Sequence, residues 1–325
     1  MAEIVHLPVR VHGDIFNLKA GQEWDRLVRH RKQDYLRMNC SSMMTGKFTF
    51  LAPAKINLCL HVQGRFDNGY HDLAMLMQRV SLFDEINLQV TTDDTIALSC
   101  TDPRLEAAGD NLVLRAARSL FEYVGTNLGV SIRLDKQIPI AAGLGGGSSD
   151  AAAILLGLNQ TAGFGLAKQE LMSLGAKLGA DVPFFILEQS AWATGIGDKL
   201  EPEVDLPPLH YVLVNPGVPV STAWVYQNLR LTSPVDVAKL REFPRTPEGL
   251  VRLLHNDLEQ VTIARYPLID KVKQALCDRG ALGALMSGSG ATVFGLYADL
   301  ELAQQVATGL TEDFGWWSVA VSPLA

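Results

Sequence analysis

Paired cysteines, long apolar runs and an excess of positive charge are all missing from this chain. The four cysteines among its 325 residues, Cys40, Cys59, Cys100 and Cys277, stand far apart, and no C-x-x-C pair occurs. That spacing excludes a zinc knuckle or a dithiol redox motif and suits reduced thiols in a cytoplasmic protein. No apolar run reaches the roughly 20 residues of a membrane-spanning helix. The N-terminus has no basic start leading into an apolar stretch, so neither a membrane partner nor a secretory signal is expected. With 28 basic against 35 acidic residues, the net charge is −7. Such a balance argues against a nucleic-acid partner, which demands a basic face. It leaves room for a phosphate group held by one local loop.

What is present is a globular composition, with 48% hydrophobic and 19% charged residues. The length suits two units of about 150 residues each. Residues 1–46 read as an N-terminal extension, non-native or disordered, with Met43 or Met44 as a natural start. Its basic stretch, with Arg26, Arg29, Arg31, Lys32 and Arg37, also fits an anion-binding arm or a transit peptide, although Glu3, Asp14, Glu23, Asp25 and Asp34 weigh against the latter. From residue 47 the pattern becomes regular. Strands are predicted over 48–62 (broken at Pro53), 79–90 and 130–134, and helices over 111–124 and 148–160. Residues 184–187 and 211–214 resemble buried strands. The proline-bearing stretch 201–208 marks a boundary, giving units 47–205 and 206–325. In the second, helices (258–264, 268–277, 300–310) alternate with strands (281–286, 291–297, 317–321). Interspersed strands and helices predict an α/β or α+β fold in both units.

The most informative segment is Pro139, Ile140, Ala141, Ala142, Gly143, Leu144, Gly145, Gly146, Gly147, Ser148 and Ser149, followed by Asp150 and a run of alanine and leucine. Four glycines in five positions remove the Cβ atoms that would keep backbone N–H groups from converging on an anion. Ser148 and Ser149 are candidate N-caps, and a helix N-terminus offers free donors and partial positive charge to a phosphate. The segment is neither a Walker A loop nor G-x-G-x-x-G, since it lacks the Gly-Lys-Ser/Thr end and has Ser148 at the last glycine position. A second cluster, Ser287, Gly288, Ser289 and Gly290, lies between two predicted strands. It reads either as an ordinary turn or as a wall closing over phosphates.

These segments resemble the GHMP kinase superfamily, in the phosphate loop at 139–149 (with one additional glycine) and in the late motif at Gly288–Gly290. The resemblance narrows to its cytidylyl branch through Pro53-Ala-Lys-Ile-Asn-Leu58, Gly64-Arg65, Asp67-x-Gly69-Tyr70-His71, Gly179-Ala-Asp181-Val-Pro183 and Asn215-Pro-Gly-Val218. It runs from about residue 47 to the C-terminus. The branch often has Asn where this chain has Asp150, which leaves a Mg²⁺-facing or a merely capping role open there.

The resemblance implies an N-terminal unit like domain 2 of ribosomal protein S5 and a ferredoxin-like C-terminal unit, with the active site in the cleft. It implies transfer of the ATP γ-phosphate to the 2-hydroxyl of a cytidine-diphosphate-linked methylerythritol, in non-mevalonate isoprenoid biosynthesis. ATP would be bound by residues 139–149 with Asn111 at the adenine, and Mg²⁺ would accompany it without a dedicated protein cage. Asp181 maps to the base that accepts the hydroxyl proton, although from its neighbours alone it reads as a turn cap before Pro183. Lys55 would pair with Asp181 and stabilise the transferring phosphoryl group; from its neighbours alone it must face solvent or an acid, since an unpaired buried ammonium is costly. Asn57 shares its strand face and would position the hydroxyl. Tyr70 and His71 would recognise cytosine, with Thr222 and Tyr226 supplying an opposing wall. A monomer or weak homodimer is expected.

Overall fold

The computed structural model describes residues 46–106, 111–231 and 234–324, together with two short strands, β1 (Arg10–Val11) and β2 (Asp14–Ile15), which pair antiparallel. The basic stretch of the expected N-terminal extension lies outside the described residues. The first half continues with β3 (Phe48–Arg65), β4 (His71–Thr91), β5 (Ile96–Cys100), α1 (Pro103–Glu106), α2 (Leu112–Val124) and β6 (Gly129–Asp135). It ends with α3 (Gly146–Thr161), α4 (Lys168–Leu178), α5 (Val182–Leu187), β7 (Ala191–Gly195) and β8 (Lys199–Pro202). The second half holds β9 (His210–Asn215), α6 (Thr222–Asn228), α7 (Val237–Arg241), α8 (Pro247–Leu253), β10 (His255–Asn256) and α9 (Glu259–Arg265). After these come α10 (Leu268–Cys277), β11 (Ala284–Met286), β12 (Val293–Tyr297), α11 (Leu300–Phe314) and β13 (Trp317–Val321).

The long hairpin β3–β4 is the spine of a seven-stranded sheet ordered β10-β3-β4-β6-β5, with β7 and then β8 joined to the other half of β4. From Ala54 to Val62, β3 is buried almost without interruption, because its two faces belong to different core clusters. A strand covered on both sides reads as an apolar run rather than an alternation. Pro53 does not break this strand. The register shifts between Pro53 and Ala54, and such a bulge absorbs a residue that cannot donate to the ladder.

One face of the sheet is covered by α2 and α3. Val113, Ala116, Ala117, Leu120 and Phe121 of α2 are buried at helical spacing. Residues 184–187, expected as a strand, form most of α5. Pro183 fits its first turn, and four apolar residues carry too little periodicity to tell helix from strand.

The second sheet is four-stranded and antiparallel, ordered β11-β12-β9-β13, with α10 and α11 packed against it. The two halves interlock. The short β10 pairs parallel with β3, and Ser81 N–H donates to Ser322 O at 2.9 Å. No helix among the described residues is long and apolar enough to cross a membrane.

Candidate active site

The glycine loop runs from the end of β6 into α3. The helix begins at Gly146 and its N-cap is Gly145, at φ 72°, rather than Ser148 or Ser149. That backbone region disfavours a side chain, so glycine takes the position and the serines fall within the first turn. No side chain caps the helix, which leaves its first-turn N–H groups aimed at the loop. Ser148 lines the adjoining cavity, whereas the Ser149 hydroxyl is buried without a partner. Asp150 neither caps the helix nor lines the cavity; it is buried and pairs with Lys136.

The second glycine cluster is built against the first. Ser287 Oγ donates to Gly143 O at 2.9 Å, and Thr292 N–H donates to Ala142 O at 3.2 Å. Gly143 sits at φ 79°, and a Cβ there would lie 2.1 Å from Ser287 O. Asn256, which sequence reasoning missed, steadies the turn through its Nδ2, donating to Met286 O at 2.7 Å and Gly288 O at 2.8 Å. Thr222 Oγ1 and Ser289 Oγ lie 2.7 Å apart.

Between these loops and the β3–β4 hairpin opens a cavity of about 730 Å³. Lys55 and Asn57 project from one face of β3 into it, and Asp181 enters from the residue before α5. Lys55 Nζ donates to Asn57 Oδ1 at 2.5 Å and lies 3.8 Å from Asp181 Oδ2. Its side chain is 6% exposed, that of Asp181 31%. The buried ammonium thus has the acid partner that its apolar neighbours demanded. Lys55 N–H also donates to Leu144 O at 2.9 Å, which ties the strand to the glycine loop.

At the far end, residues 66–70 turn tightly between β3 and β4, with Gly69 at φ 88°. Tyr70 lines the cavity and is 60% exposed. His71 and Tyr226 contact each other directly, with ring centroids 4.8 Å apart, and so form one wall instead of two opposed ones. Burial, then the charge of Asp181, push the Tyr226 phenol above its usual range; burial and Arg65 hold His71 down. Arg65, whose motif was noted but not its role, lines the same end. Asn111 does not line this cavity. Its Oδ1 accepts from Val113 N–H at 2.9 Å as the N-cap of α2, and its Nδ2 donates to Leu105 O at 3.2 Å. Nearby, a second cavity of about 450 Å³ is bounded by Asp102, Arg104, Lys136, Pro139 and Ile140 on one side and Asn215 and Trp317 on the other.

Cation ligands are sparse. Among the described residues, His61, His255 and Asp257 are the one group of metal-ligating types whose donor atoms lie within 4.8 Å of one another. The two rings stack at 4.3 Å and 8°, so their in-plane lone pairs do not converge, and Asp257 is engaged by His255 and Val62 N–H. Besides Asn57, Thr222 and Ser289, the large cavity is lined by the Ser148 hydroxyl and the Asp181 carboxylate. That pair fits a magnesium ion held mainly by phosphate oxygens and water.

The family model for the GHMP kinases N terminal domain matches residues 111–189, and that for the GHMP kinases C terminal region matches residues 238–315. A 4-diphosphocytidyl-2-C-methyl-D-erythritol kinase of Syntrophotalea carbinolica is 56% identical over 276 residues, covering 85% of this chain and 99% of that protein. The protein of the same name from Pelobacter propionicus is 49% identical over 276 residues, with the same coverage. A crystal structure of a 4-(cytidine 5'-diphospho)-2C-methyl-D-erythritol kinase is 35% identical, with a TM-score of 0.72 over 85% of this chain and 99% of the other. Homoserine kinase from Cytophaga hutchinsonii, at 22% identity and a TM-score of 0.65 over 86% of this chain and 95% of the other, shares the fold.

Proposed function

The chain belongs to the 4-diphosphocytidyl-2-C-methyl-D-erythritol kinases within the GHMP kinase family, and on that premise we propose how its own residues carry out the reaction. It transfers the γ-phosphate of ATP to the 2-hydroxyl of 4-diphosphocytidyl-2-C-methyl-D-erythritol, a step of non-mevalonate isoprenoid biosynthesis. The observation that carries the residue assignment is the meeting of Lys55 and Asp181 at 3.8 Å in the cavity that the glycine loop borders.

Residues 139–149 hold the phosphates, and the uncapped N-terminus of α3 supplies N–H donors and partial positive charge. The 287–290 turn closes the other side. The adenine end runs toward the smaller cavity at Arg104 and Ile140. Cytosine lies against Tyr70 and the His71–Tyr226 wall. The 2-hydroxyl then sits between Lys55 and Asp181. Its oxygen attacks Pγ, the bond from Pγ to the β-bridging oxygen breaks, ADP leaves, and Asp181 accepts the hydroxyl proton. The transition state is loose, so placing the hydroxyl matters as much as removing its proton. Lys55, oriented by Asn57, offsets negative charge on the transferring group. A Mg²⁺ ion at Ser148 and Asp181 would shield the phosphate oxygens.

Residues 47–205 and 206–325 are read as the two units flanking the cleft, with 1–46 as an extension, acting in the cytoplasm as a monomer or weak homodimer. ADP release measured with Mg-ATP and the cytidylyl substrate, mevalonate or homoserine tests the assignment. Turnover with the cytidylyl substrate alone is expected. Asp181→Asn and Lys55→Ala lower kcat by at least about 10²-fold while ATP still binds. Turnover confined to another acceptor, or near-normal kcat in either variant, would refute it.

A further inference from the structure

Lys55 and Asn57 are held by their backbone as well as by their side chains. Alternate residues of a strand present their side chains to one face and their N–H groups to one edge. On β3 these two N–H groups turn away from β4, to an edge where no strand pairs with them among the described residues. The two glycine turns take the strand's place. Lys55 N–H donates to Leu144 O of the phosphate loop at 2.9 Å, and Asn57 N–H donates to Ser287 Oγ of the closing turn at 3.3 Å. Further along, β10 pairs with β3 at Cys59 and Leu60, and Asp257 Oδ2 accepts from Val62 N–H at 2.7 Å.

Three segments meet at Ser287, which is 0% exposed. Gly143 O, 2.9 Å from its hydroxyl, can only accept, so the hydroxyl proton points to Gly143 and a lone pair remains for Asn57 N–H. One oxygen therefore joins the strand that carries Lys55 and Asn57, the phosphate loop and the closing turn. The turn is also anchored independently of that hydroxyl. Met286 N–H donates to Glu259 Oε1 at 2.9 Å, Ser287 N–H donates to Thr292 O at 2.9 Å, and Thr262 Oγ1 donates to Ser289 O at 3.2 Å. Removing the hydroxyl leaves the turn held and releases the strand from it.

Gly288 and Ser289 line the large cavity, whereas Ser287 does not. Its hydroxyl thus faces the backbone of its neighbours and not the cleft. We propose that Ser287 is a positioning residue for phosphoryl transfer, whose hydroxyl sets the register of Lys55 and Asn57 against the phosphates held by the two turns. This rests on the kinase reading of the same site. Transfer depends on the placement of groups at the ångström scale, so the loss of this bond is felt in kcat. ATP affinity is spared, because the phosphate loop and the uncapped start of α3 do not depend on it. The bond from Lys55 N–H to Leu144 O remains, so the strand shifts without detaching.

The test compares the full chain with Ser287→Ala, Lys55→Ala and the double variant, by turnover with Mg-ATP and the cytidylyl substrate, by the calorimetric Kd for Mg-ATP and by Tm. Ser287→Ala is expected to lower kcat by about tenfold and to leave the Kd for Mg-ATP within about twofold of wild type. In the Lys55→Ala background the same change is expected to cost less than about twofold, because the group it positions is gone. A residue that only supports the fold would lower Tm and multiply the Lys55→Ala loss in full. Should Ser287→Ala fail to fold, Ser287→Cys, alone and with Lys55→Ala, keeps the shape with a weaker donor and acceptor, and a fall of about threefold in kcat is expected. Wild-type kcat in either folded variant, a multiplied loss in the double variant, or a Kd for Mg-ATP that rises in step with the loss of kcat would overturn the proposal. Absence of turnover by the wild type itself would instead bring down the kinase reading beneath it.

Discussion

Gly143→Ala puts the junction of the two glycine turns to the test. The added Cβ would lie 2.1 Å from Ser287 O and 3.3 Å from Gly290 N, both backbone atoms with no rotamer to yield. Restoring an ordinary contact of roughly 3.5 Å requires the two turns to part by about 1 Å or more. Holding alanine at φ 79° costs a further ~1–2 kcal/mol. Because the moving segments carry the phosphate loop and its closing turn, a shift of that size is expected to lower kcat/KM for ATP by about 10²-fold. Gly147→Ala separates this effect from a general dislike of side chains in the loop. At Gly147 a Cβ meets nothing within 4 Å, and the position lies inside the first turn of α3. Its Tm should equal or exceed that of the wild type, since alanine is the better helix former by about 1 kcal/mol. Any loss of ATP affinity in that variant would report direct crowding of the phosphates. Steady-state kinetics with thermal unfolding of both variants decides the matter. A Gly143→Ala protein with unchanged kcat/KM and Tm would refute the reasoning, because the two turns would then not be in contact.

Two further outcomes follow from side chains at either end of the molecule. Tyr226→Ala removes the ring that packs on His71 and should raise KM for the cytidylyl substrate by roughly tenfold without moving KM for ATP, whereas Tyr226→Phe should behave as wild type; equal effects on both substrates would show that the wall does not sort them. Glu203→Ala, remote from the cavity, takes the acceptor from the buried Trp192 Nε1 at 3.2 Å and from Arg245 Nη2 at 2.7 Å. The cost should be about 2 kcal/mol, a Tm lower by roughly 3–4 °C at unchanged kcat, and an unaltered Tm would show that water replaces the lost carboxylate.

The parts of this site that were legible in the sequence are those that depend on short-range geometry. A run of glycines before an alanine-rich helix announces a backbone that must approach an anion, and alternation along β3 places Lys55 and Asn57 on one face whatever the rest of the chain does. Even there, composition misled at the helix start. Serine is the commoner N-cap, but the tight turn into α3 needs φ 72°, and Gly145 meets that need while Ser148 and Ser149 do not. Residues 184–187 were misread for the opposite reason, since a single helical turn beside Pro183 presents no repeat to measure. The pairing of Lys55 with Asp181 could be drawn only from resemblance, because 126 positions of chain, with four helices among the described residues, set their separation. The same limit hid Asn256, which reaches the closing turn because β10 joins the far edge of the first sheet beside β3. It hid Asp84 most completely. An aspartate in a long strand looks like an ordinary surface residue until the register of β4 against β6 brings it under the loop, where it meets Lys136 and Asp150. Asp150 follows the serines directly and was noticed as a departure, yet its role depends on that hidden partner. The chemistry facing the cavity is therefore written locally, and what holds it in place is written in the sheet register.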